Sequence, residues 1–277
     1  MEEAVKRTRR RRLLRWYSRH GRALPSRTTH DPYAVLVSEI MLQQTQVTRV
    51  VPAYLEFLRR FPTPRALARA SLGDVLRVWS GLGYNRRARD LHRIARLAAG
   101  GIPTDLDALD AFPGVGAYTA GAVACFSTGA RVPFADTNIR RVLGRVVLGR
   151  TATEREAVAI DQELMPRDAA AWHHAVMDLG ATVCVSRAPR CATCPLRTEC
   201  RARGRSTPTP RRQQAPFANS TRRLRGRVVA LLAATPSGMT THGVGARLAD
   251  DRVDVVLDEL VRDGLIERRR GRVSLPA

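Results

Sequence analysis

The sequence predicts a mostly helical protein with a small basic domain at its C-terminal end. Over the first 200 residues apolar side chains recur every three or four positions, and no stretch alternates apolar and polar residues as a half-buried strand does. Four of the five cysteines fall in one short segment, and a compact basic stretch follows a linker that contains arginine and proline. With 277 residues, of which 44% are hydrophobic, the chain can bury a large core.

The helical periodicity divides the chain into three parts. Residues 1–204 contain apolar-periodic segments separated by short breaks with glycine, proline or aspartate. Residues 205–219 hold little that could be buried and are predicted to be a linker, and residues 220–277 form the C-terminal domain. The helices predicted in the first part cover residues 32–58, 66–79, 86–99, 117–126 and 138–148.

The C-terminal domain has the pattern of a winged helix. Helices are predicted over residues 222–234, 241–249 and 252–263, followed by a two-stranded hairpin over residues 264–276 with arginines at its turn. A small structural cap is an equally good interpretation of the same pattern.

The charge of the chain indicates a polyanionic partner. The formal net charge is +22 at pH 7, and Lys6 is the single lysine among the 47 basic residues. A protein this basic attracts nucleic acids. No apolar run approaches the ~18 residues of a membrane span, and the N-terminus lacks the apolar stretch of a secretory signal. We therefore expect a cytoplasmic, nucleoid-associated protein that is neither secreted nor bound to a membrane.

The clustered cysteines predict a metal centre in residues 184–200. An odd number of cysteines without an export signal makes disulfides a poor explanation. Only one tight pair is present, and the wider gaps favour a [4Fe–4S] cluster, although a zinc ion stays possible. The fifth cysteine, Cys125, lies in an apolar stretch and is expected to be a buried thiol. The predicted ligands are Cys184, Cys191, Cys194 and Cys200.

A glycine pair and a later aspartate stand at the starts of two predicted helices. Gly114 and Gly116 precede a predicted helix, where exposed backbone N–H groups can bind a phosphate. Asp136 stands at the start of the next helix, where it could simply be an N-cap.

The order of these motifs resembles the helix-hairpin-helix DNA glycosylase superfamily. The segment Phe-Pro-Gly-Val-Gly-x-Tyr at residues 112–118, Asp136 and the four-cysteine loop carry the resemblance. Ser-Glu-Ile-Met-Leu-Gln-Gln-Thr-Gln at 38–46, Gly-Leu-Gly-Tyr at 81–84 and Met-Asp-Leu-Gly-Ala at 177–181 are similar to the MutY branch, the adenine glycosylases. The resemblance covers residues 16–200 and implies a two-lobed, all-helical fold with an iron–sulfur loop.

The resemblance also implies an activity, which is hydrolysis of the N-glycosidic bond of a base flipped out of duplex DNA. Glu39, in an otherwise apolar stretch, would be the buried acid that protonates the base, although alone it would pass for a surface glutamate. Asp136 would stabilise the sugar cation or bond to it transiently, and Asn138 would align the water or the carboxylate. Tyr118 replaces the lysine of strand-cleaving relatives, so the enzyme is expected to release bases without efficient lyase activity.

Further residues are assigned to DNA contacts by the same resemblance. Gln43 and Gln44 would enter the duplex and touch the orphaned partner base, and Tyr84 would wedge beside them. Arg86 would meet a phosphate. The alternative is that these residues are structural. Gln43 and Gln44 would then be a solvated helix end, Tyr84 a core aromatic ring and Arg86 a solvated surface charge.

The sequence departs from the family at positions that bear on base recognition. Ser26 stands where the family has tryptophan, and His173 and His174 stand where it has asparagine and an acid or amide. Thr137 replaces the glycine between Asp136 and Asn138, and residues 220–277 stand in the place of the large 8-oxoguanine-recognition domain.

Three functions compete at this stage. The favoured one is a monomeric glycosylase that acts on double-stranded DNA and removes adenine mispaired with 8-oxoguanine or guanine. A thymine or uracil mismatch glycosylase is the enzymatic alternative. A non-catalytic DNA-binding protein is the third, and it leaves Glu39 and Asp136 without a role.

Overall fold

A computed structural model describes residues 2–204 and 217–277. In these residues the chain is mostly helical, which confirms the predicted all-helical fold class. The described α-helices are α1 (Glu3–His20), α2 (Pro32–Leu42), α3 (Val47–Arg60), α4 (Pro64–Arg69), α5 (Leu72–Val78), α6 (Arg86–Leu97), α7 (Leu106–Asp110), α8 (Ala117–Thr128), α9 (Thr137–Val147), α10 (Glu154–Leu164), α11 (Ala169–Thr182), α12 (Thr221–Ala233), α13 (Thr241–Leu248) and α14 (Val253–Arg262).

Side-chain caps start many of these helices. Asp31 accepts hydrogen bonds from the first backbone N–H groups of α2, and Asp168 does the same for α11. Thr153 and Glu156 form a reciprocal capping box at the start of α10. Short polar residues before apolar runs therefore set where the helices begin.

Two of the predicted helices are each interrupted. The segment 32–58 contains α2 and α3, separated at residues 43–46, and the segment 66–79 contains α4 and α5, separated at Ala70 and Ser71. The second break has a local cause, because Ser71 caps α5 through its side chain. Residues 86–97, 117–128 and 137–147 are helical close to the predicted bounds.

The chain divides into two compact units. Of the described residues, the first unit comprises 2–30, 104–110 and 115–204, and in it α9 packs against α10 and α11 while α1 covers α11. The fully buried Trp172 and Phe134 belong to its core.

Of the described residues, the second unit comprises 31–103, 111–114 and 217–277. Its core holds α2 to α6, with Trp79 lying edge-on against Phe57 at 5.9 Å between ring centroids. The C-terminal helix α12 packs against α5 and α14. The backbone N–H of Gly73 donates to the carbonyl of Pro276 at 2.9 Å, which ties the end of the chain to the start of α5.

The C-terminal residues contain a small antiparallel sheet. Its strands are β1 (Met239–Thr240), β2 (Glu267–Arg269) and β3 (Arg272–Ser274), in the order β1-β3-β2. Val273 pairs with Met239 on one side and with Arg268 on the other. The three predicted helices and the hairpin are present, and β1 is an addition. The winged-helix name stays an interpretation, as do the predicted domain bounds 1–204, 205–219 and 220–277.

Two further predictions concern the linker and the absence of a membrane-spanning helix. Most of the predicted linker, residues 205–216, lies outside the described residues, and Phe217–Asn219 form a single turn of 3-10 helix. Across the described parts of the chain, no helix is long and apolar enough to cross a membrane.

Candidate active site and DNA interface

Glu39 lies in the second unit on α2, a helix whose residues from Tyr33 to Met41 are all buried. The exposed fraction of Glu39 is 8%. Its position excludes the surface-glutamate interpretation, because a charged residue is rarely buried without a partner or a function.

Two of the three residues predicted to enter the DNA, Gln44 and Tyr84, share an uncommon backbone conformation. Gln44, directly after α2, has φ of 58°, and Tyr84, in the turn before α6, has φ of 49°. This left-handed region is unfavourable for residues other than glycine, and such strain is concentrated at functional sites. Gln44 is exposed and Gln43 is half-buried, so the polar end of α2 is accessible.

Arg87 holds the C-terminal end of α2. Its Nη1 donates to three carbonyl oxygens, those of Ile40 at 2.7 Å, Met41 at 2.9 Å and Gln43 at 2.6 Å. Its Nη2 donates to the carbonyl of Gly83 at 3.1 Å. Burial lowers the pKa of Arg87 to about 10, so the guanidinium is charged at neutral pH. Arg87 therefore fixes both the end of the helix that carries Glu39 and the turn that carries Tyr84.

Two further contacts surround Tyr84 and the start of α6. Arg86, predicted to bind a phosphate, donates through Nε and Nη2 to Asp263 at 2.8 and 2.7 Å. The hydroxyl of Tyr84 accepts a hydrogen bond from Arg222 at 2.7 Å. Since Asp263 follows α14 and Arg222 lies on α12, C-terminal residues contact the predicted DNA-binding loop within this unit.

In the first unit, Asp136 is both an N-cap and the end of a hydrogen-bond chain. Its carboxylate accepts from the backbone N–H of Ile139 and from Asn138 Nδ2, each at 2.7 Å. Asn138 Oδ1 accepts from Arg141 Nη2 at 2.7 Å. Arg141 also donates to the carbonyl of Cys184 at 2.7 Å. The carboxylate is thereby connected through two side chains to the first cysteine of the predicted metal loop.

A glycine makes this arrangement possible. A β-carbon at Gly180 on α11 would lie 2.7 Å from the Cβ of Asn138, closer than any real contact of this kind. The carbonyl of Gly180 also accepts from Arg141 Nη2 at 2.7 Å. Gly180 therefore allows α11 to approach α9 beside the candidate catalytic residues.

Tyr118 lies one residue inside the start of α8 and is half-buried. Its hydroxyl lies 3.6 Å from the sulfur of Met177, and its ring meets Phe134 edge-on at 5.4 Å between centroids. Before it, Gly114 has φ of +78°, and Gly116 is the extended N-cap of α8. Both glycines are exposed, so their backbone is accessible to a phosphate.

The two histidines that depart from the family pattern have different surroundings. His173 is fully buried, with Nε2 at 2.8 Å from Asp161 and Nδ1 at 3.5 Å from the buried Cys125. Asp161 also accepts from the backbone N–H of Phe134 at 3.3 Å, so this pair supports the segment that leads to Asp136. His173 is therefore part of the core.

His174 is half-buried and stacks on Phe126, with ring centroids 4.2 Å apart. Burial, followed by the charge of Arg27, lowers the pKa of His174 to about 3. The imidazole is therefore neutral at neutral pH.

Asp178 anchors the segment that contains Ser26. Its buried carboxylate accepts two hydrogen bonds from Arg27, at 2.7 and 2.8 Å, and one from Arg22 Nε at 2.6 Å. Although burial opposes ionisation, these arginines hold the pKa of Asp178 below its usual value. A lone aspartate in the apolar sequence around Leu179 was the available signal for this ion pair.

The four predicted metal ligands line one pocket together. Burial, and to a smaller degree the three neighbouring cysteines, raises the pKa of Cys194 to about 12. Arg145, 2% exposed, donates to the sulfur of Cys184 at 3.6 Å and to the carbonyls of Val185 and Ser186. The lining cysteines are Cys184, Cys191, Cys194 and Cys200.

The donor set suits a thiophilic metal centre. Among the described residues, 2–204 and 217–277, no group of three or more His, Cys, Asp or Glu side chains has the geometry to hold a metal ion. Four thiols around one pocket nevertheless have the chemistry of a zinc or iron–sulfur ligand set. Arg145 would offset part of the negative charge of four thiolates.

Comparisons with known proteins agree on one family. Residues 37–167 match the model of the HhH-GPD superfamily base excision DNA repair proteins. An adenine DNA glycosylase of Mycobacterium tuberculosis is 42% identical over 282 residues, which cover 95% of this chain and 92% of that protein. The human adenine DNA glycosylase is 40% identical over 212 residues, covering 70% of this chain and 39% of the human protein.

Solved structures with the same fold include a thermostable thymine-DNA glycosylase, with TM-score 0.67, 25% identity and coverage of 72% of this chain and 96% of that one. A non-covalent endonuclease III–DNA complex has TM-score 0.63 and 21% identity, covering 73% of this chain and 96% of that one.

The fold and these relatives define the class of protein, which is a helix-hairpin-helix DNA glycosylase, a hydrolase of N-glycosyl bonds. Within the HhH-GPD superfamily of base excision DNA repair proteins, the chain belongs to the family of the adenine DNA glycosylases. This result excludes the alternative of a non-catalytic DNA-binding protein.

Proposed function

We propose that the protein is a monofunctional glycosylase that hydrolyses the N-glycosidic bond of adenine mispaired with 8-oxoguanine or guanine in double-stranded DNA. The observation that carries the proposal is the buried Glu39 on a helix that is otherwise apolar. The names of the relatives that are 40–42% identical support adenine as the base.

Glu39 is the proposed general acid. As a general acid, Glu39 would donate a proton to a ring nitrogen of the leaving base. Protonation makes the base a neutral leaving group and lowers the barrier to C–N cleavage.

Asp136 is the proposed carboxylate beside the sugar. As the bond breaks, positive charge develops on the sugar, and an ionised Asp136 stabilises it until water adds to the anomeric carbon. Asn138 positions this carboxylate, because its Nδ2 donates to it at 2.7 Å. Tyr118 cannot form a Schiff base, and the single lysine of the chain is Lys6, which supports hydrolysis without strand cleavage.

Gln43, Gln44 and Tyr84 are the proposed residues that fill the gap left by the base. The backbone strain of Gln44 and Tyr84 supports this role. Gly114 and Gly116 would bind a phosphate through backbone N–H groups, and Arg86 would contact a phosphate through its guanidinium.

The four-cysteine pocket would hold a [4Fe–4S] cluster through Cys184, Cys191, Cys194 and Cys200. When bound, the cluster supplies cross-links that order a loop with little apolar core of its own. Arg145 and Arg141 hold the backbone of this loop by hydrogen bonds to carbonyl oxygens, and Arg141 also contacts Asn138.

A base-release assay on four duplexes tests the proposed function. We expect release from adenine opposite 8-oxoguanine and opposite guanine, without strand breaks until alkali is added. Release from T:G and U:G duplexes instead would establish the thymine or uracil alternative, which the likeness to a thymine-DNA glycosylase favours. Strand breaks without alkali, with trapping by borohydride, would contradict the monofunctional assignment.

A further inference from the structure

A groove of about 570 Å³ runs along α12 within the second unit. It is lined by Gln44, Arg49 and the turn at Tyr84, and by Phe217 and residues of α12 between Arg222 and Ala230. The volume lies in the range of about 300–1,000 Å³ that is typical of ligand sites. The groove therefore begins at the residues proposed to enter DNA and continues along the C-terminal segment.

The groove is positively charged. Arg49, Arg223 and Arg227 line it and are exposed, and among its described lining residues none is acidic. Arg223 donates to the carbonyl of Ala218 and Arg227 to that of Leu248. Both of these acceptors are uncharged carbonyl oxygens, and the charge of Arg227 also acts on Asp250, which is not among the lining residues.

An aromatic surface accompanies the charges. Phe217 is 57% exposed, and the guanidinium of Arg222 lies 5.1 Å from the centre of its ring. The same guanidinium lies 5.4 Å from the ring centre of Tyr84 and donates to its hydroxyl. Exposed aromatic rings beside cations are how proteins bind unpaired nucleotides, by stacking and by phosphate contacts.

A glycine on α12 lines the groove. A β-carbon at Gly226 would meet no atom within 4 Å, although glycine costs about 1 kcal/mol relative to alanine inside a helix. The space beside α12 at Gly226 is therefore large enough to take a side chain.

We propose that this groove binds the DNA strand opposite the excised base. Arg223, Arg227 and Arg49 contact its phosphates, and Phe217 stacks on a base next to the orphaned nucleotide. The inference rests on the proposed function, because Gln44 and Tyr84 at the head of the groove are assigned to the orphaned base. The C-terminal segment thereby becomes part of the recognition of the opposite strand.

Neutral phosphate analogues test which strand lies in the groove. The probe is a duplex with a stable abasic-site analogue opposite guanine, carrying methylphosphonates on either the opposite or the abasic strand. Binding is measured by fluorescence anisotropy over a series of salt concentrations for the full-length chain. We expect the double variant Arg223→Ala/Arg227→Ala to lower the slope of log Kd against log salt by about 2, since each phosphate contact contributes about 1.

The outcome is decided by whether the arginine substitutions and the methylphosphonates weaken binding independently of each other. Methylphosphonates on the opposite strand should weaken wild-type binding and have little further effect on the double variant. Additive losses, or coupling to the abasic strand instead, would overturn the proposal. Arg247→Ala is the matched control, because Arg247 is an exposed arginine on α13 outside the groove.

Steric blocking gives a second test that does not depend on charge. Gly226→Leu should fill the groove and weaken binding at least tenfold, whereas Gly245→Leu, at an equally open helical glycine on α13, should not. Equal binding by both variants would contradict the groove. Base release from the four duplexes is measured separately. Coupling to the opposite strand without base release would support the groove as a binding site and refute the proposed function. Base release without coupling would support the proposed function and refute the groove.

Discussion

Gln44 and Tyr84 hold left-handed backbone conformations, which residues other than glycine rarely adopt. Each costs of the order of 1 kcal/mol or more, and surrounding contacts must maintain it. Arg87 supplies such contacts, because it bonds to the carbonyls of Gln43 and Gly83 on the two segments. Its charge is held between the rings of Trp79 and Tyr84, whose centres lie 5.5 and 5.3 Å away.

His174 should make the fold sensitive to acid. An unfolded chain protonates this imidazole below pH 6.5, whereas in the folded chain burial and Arg27 lower its pKa to about 3. The unfolded state thus binds one more proton between these values, so stability falls as the pH falls through this window. At pH 5 the loss is at most about 2 kcal/mol.

Thermal unfolding between pH 7 and pH 5 measures this effect. His174→Gln should lose less stability over that range than the wild type. The exposed His242 supplies the control, since His242→Gln should retain the wild-type slope. An unchanged slope in His174→Gln would show that this imidazole does not titrate as described.

Helix boundaries show where local sequence information was sufficient. Asp136 was predicted to begin a helix and does cap α9, and the three C-terminal helices lie within two residues of their predicted bounds. The break between α2 and α3 was missed, because α2 is buried on all sides and no glycine or proline marks its end. Arg87, which holds that end, comes from another helix 44 residues after Gln43, beyond the reach of local patterns.

The cysteine loop should fold around iron. The purified protein is expected to be brown and to contain four irons, and Cys194→Ser should lose iron and stability because metal binding and folding of the loop are coupled. Cys125→Ser is the matched control, since Cys125 is a buried thiol beside His173 and should leave the iron content unchanged. Colourless protein with stoichiometric zinc would contradict the iron assignment.

The whole chain combines two compact units that differ in how well the sequence predicted them. The family motifs predicted Asp136, Asn138 and Tyr118 as candidate site residues, and the structure adds contacts to Asn138 from Arg141 and to Tyr118 from Phe134. In the second unit, the C-terminal helices were predicted, but their packing on α5 and their hydrogen bond to Tyr84 were not. Such contacts depend on complementary surfaces far apart in sequence, which periodicity does not describe.

Single-turnover base release tests the central claim most directly. With saturating enzyme and a duplex of adenine opposite 8-oxoguanine, the wild type should release adenine, while Asp136→Asn and Glu39→Gln should each slow release at least 100-fold and still bind the duplex. A rate in either variant within a few-fold of the wild type would show that its carboxyl group does not take part in cleaving the bond.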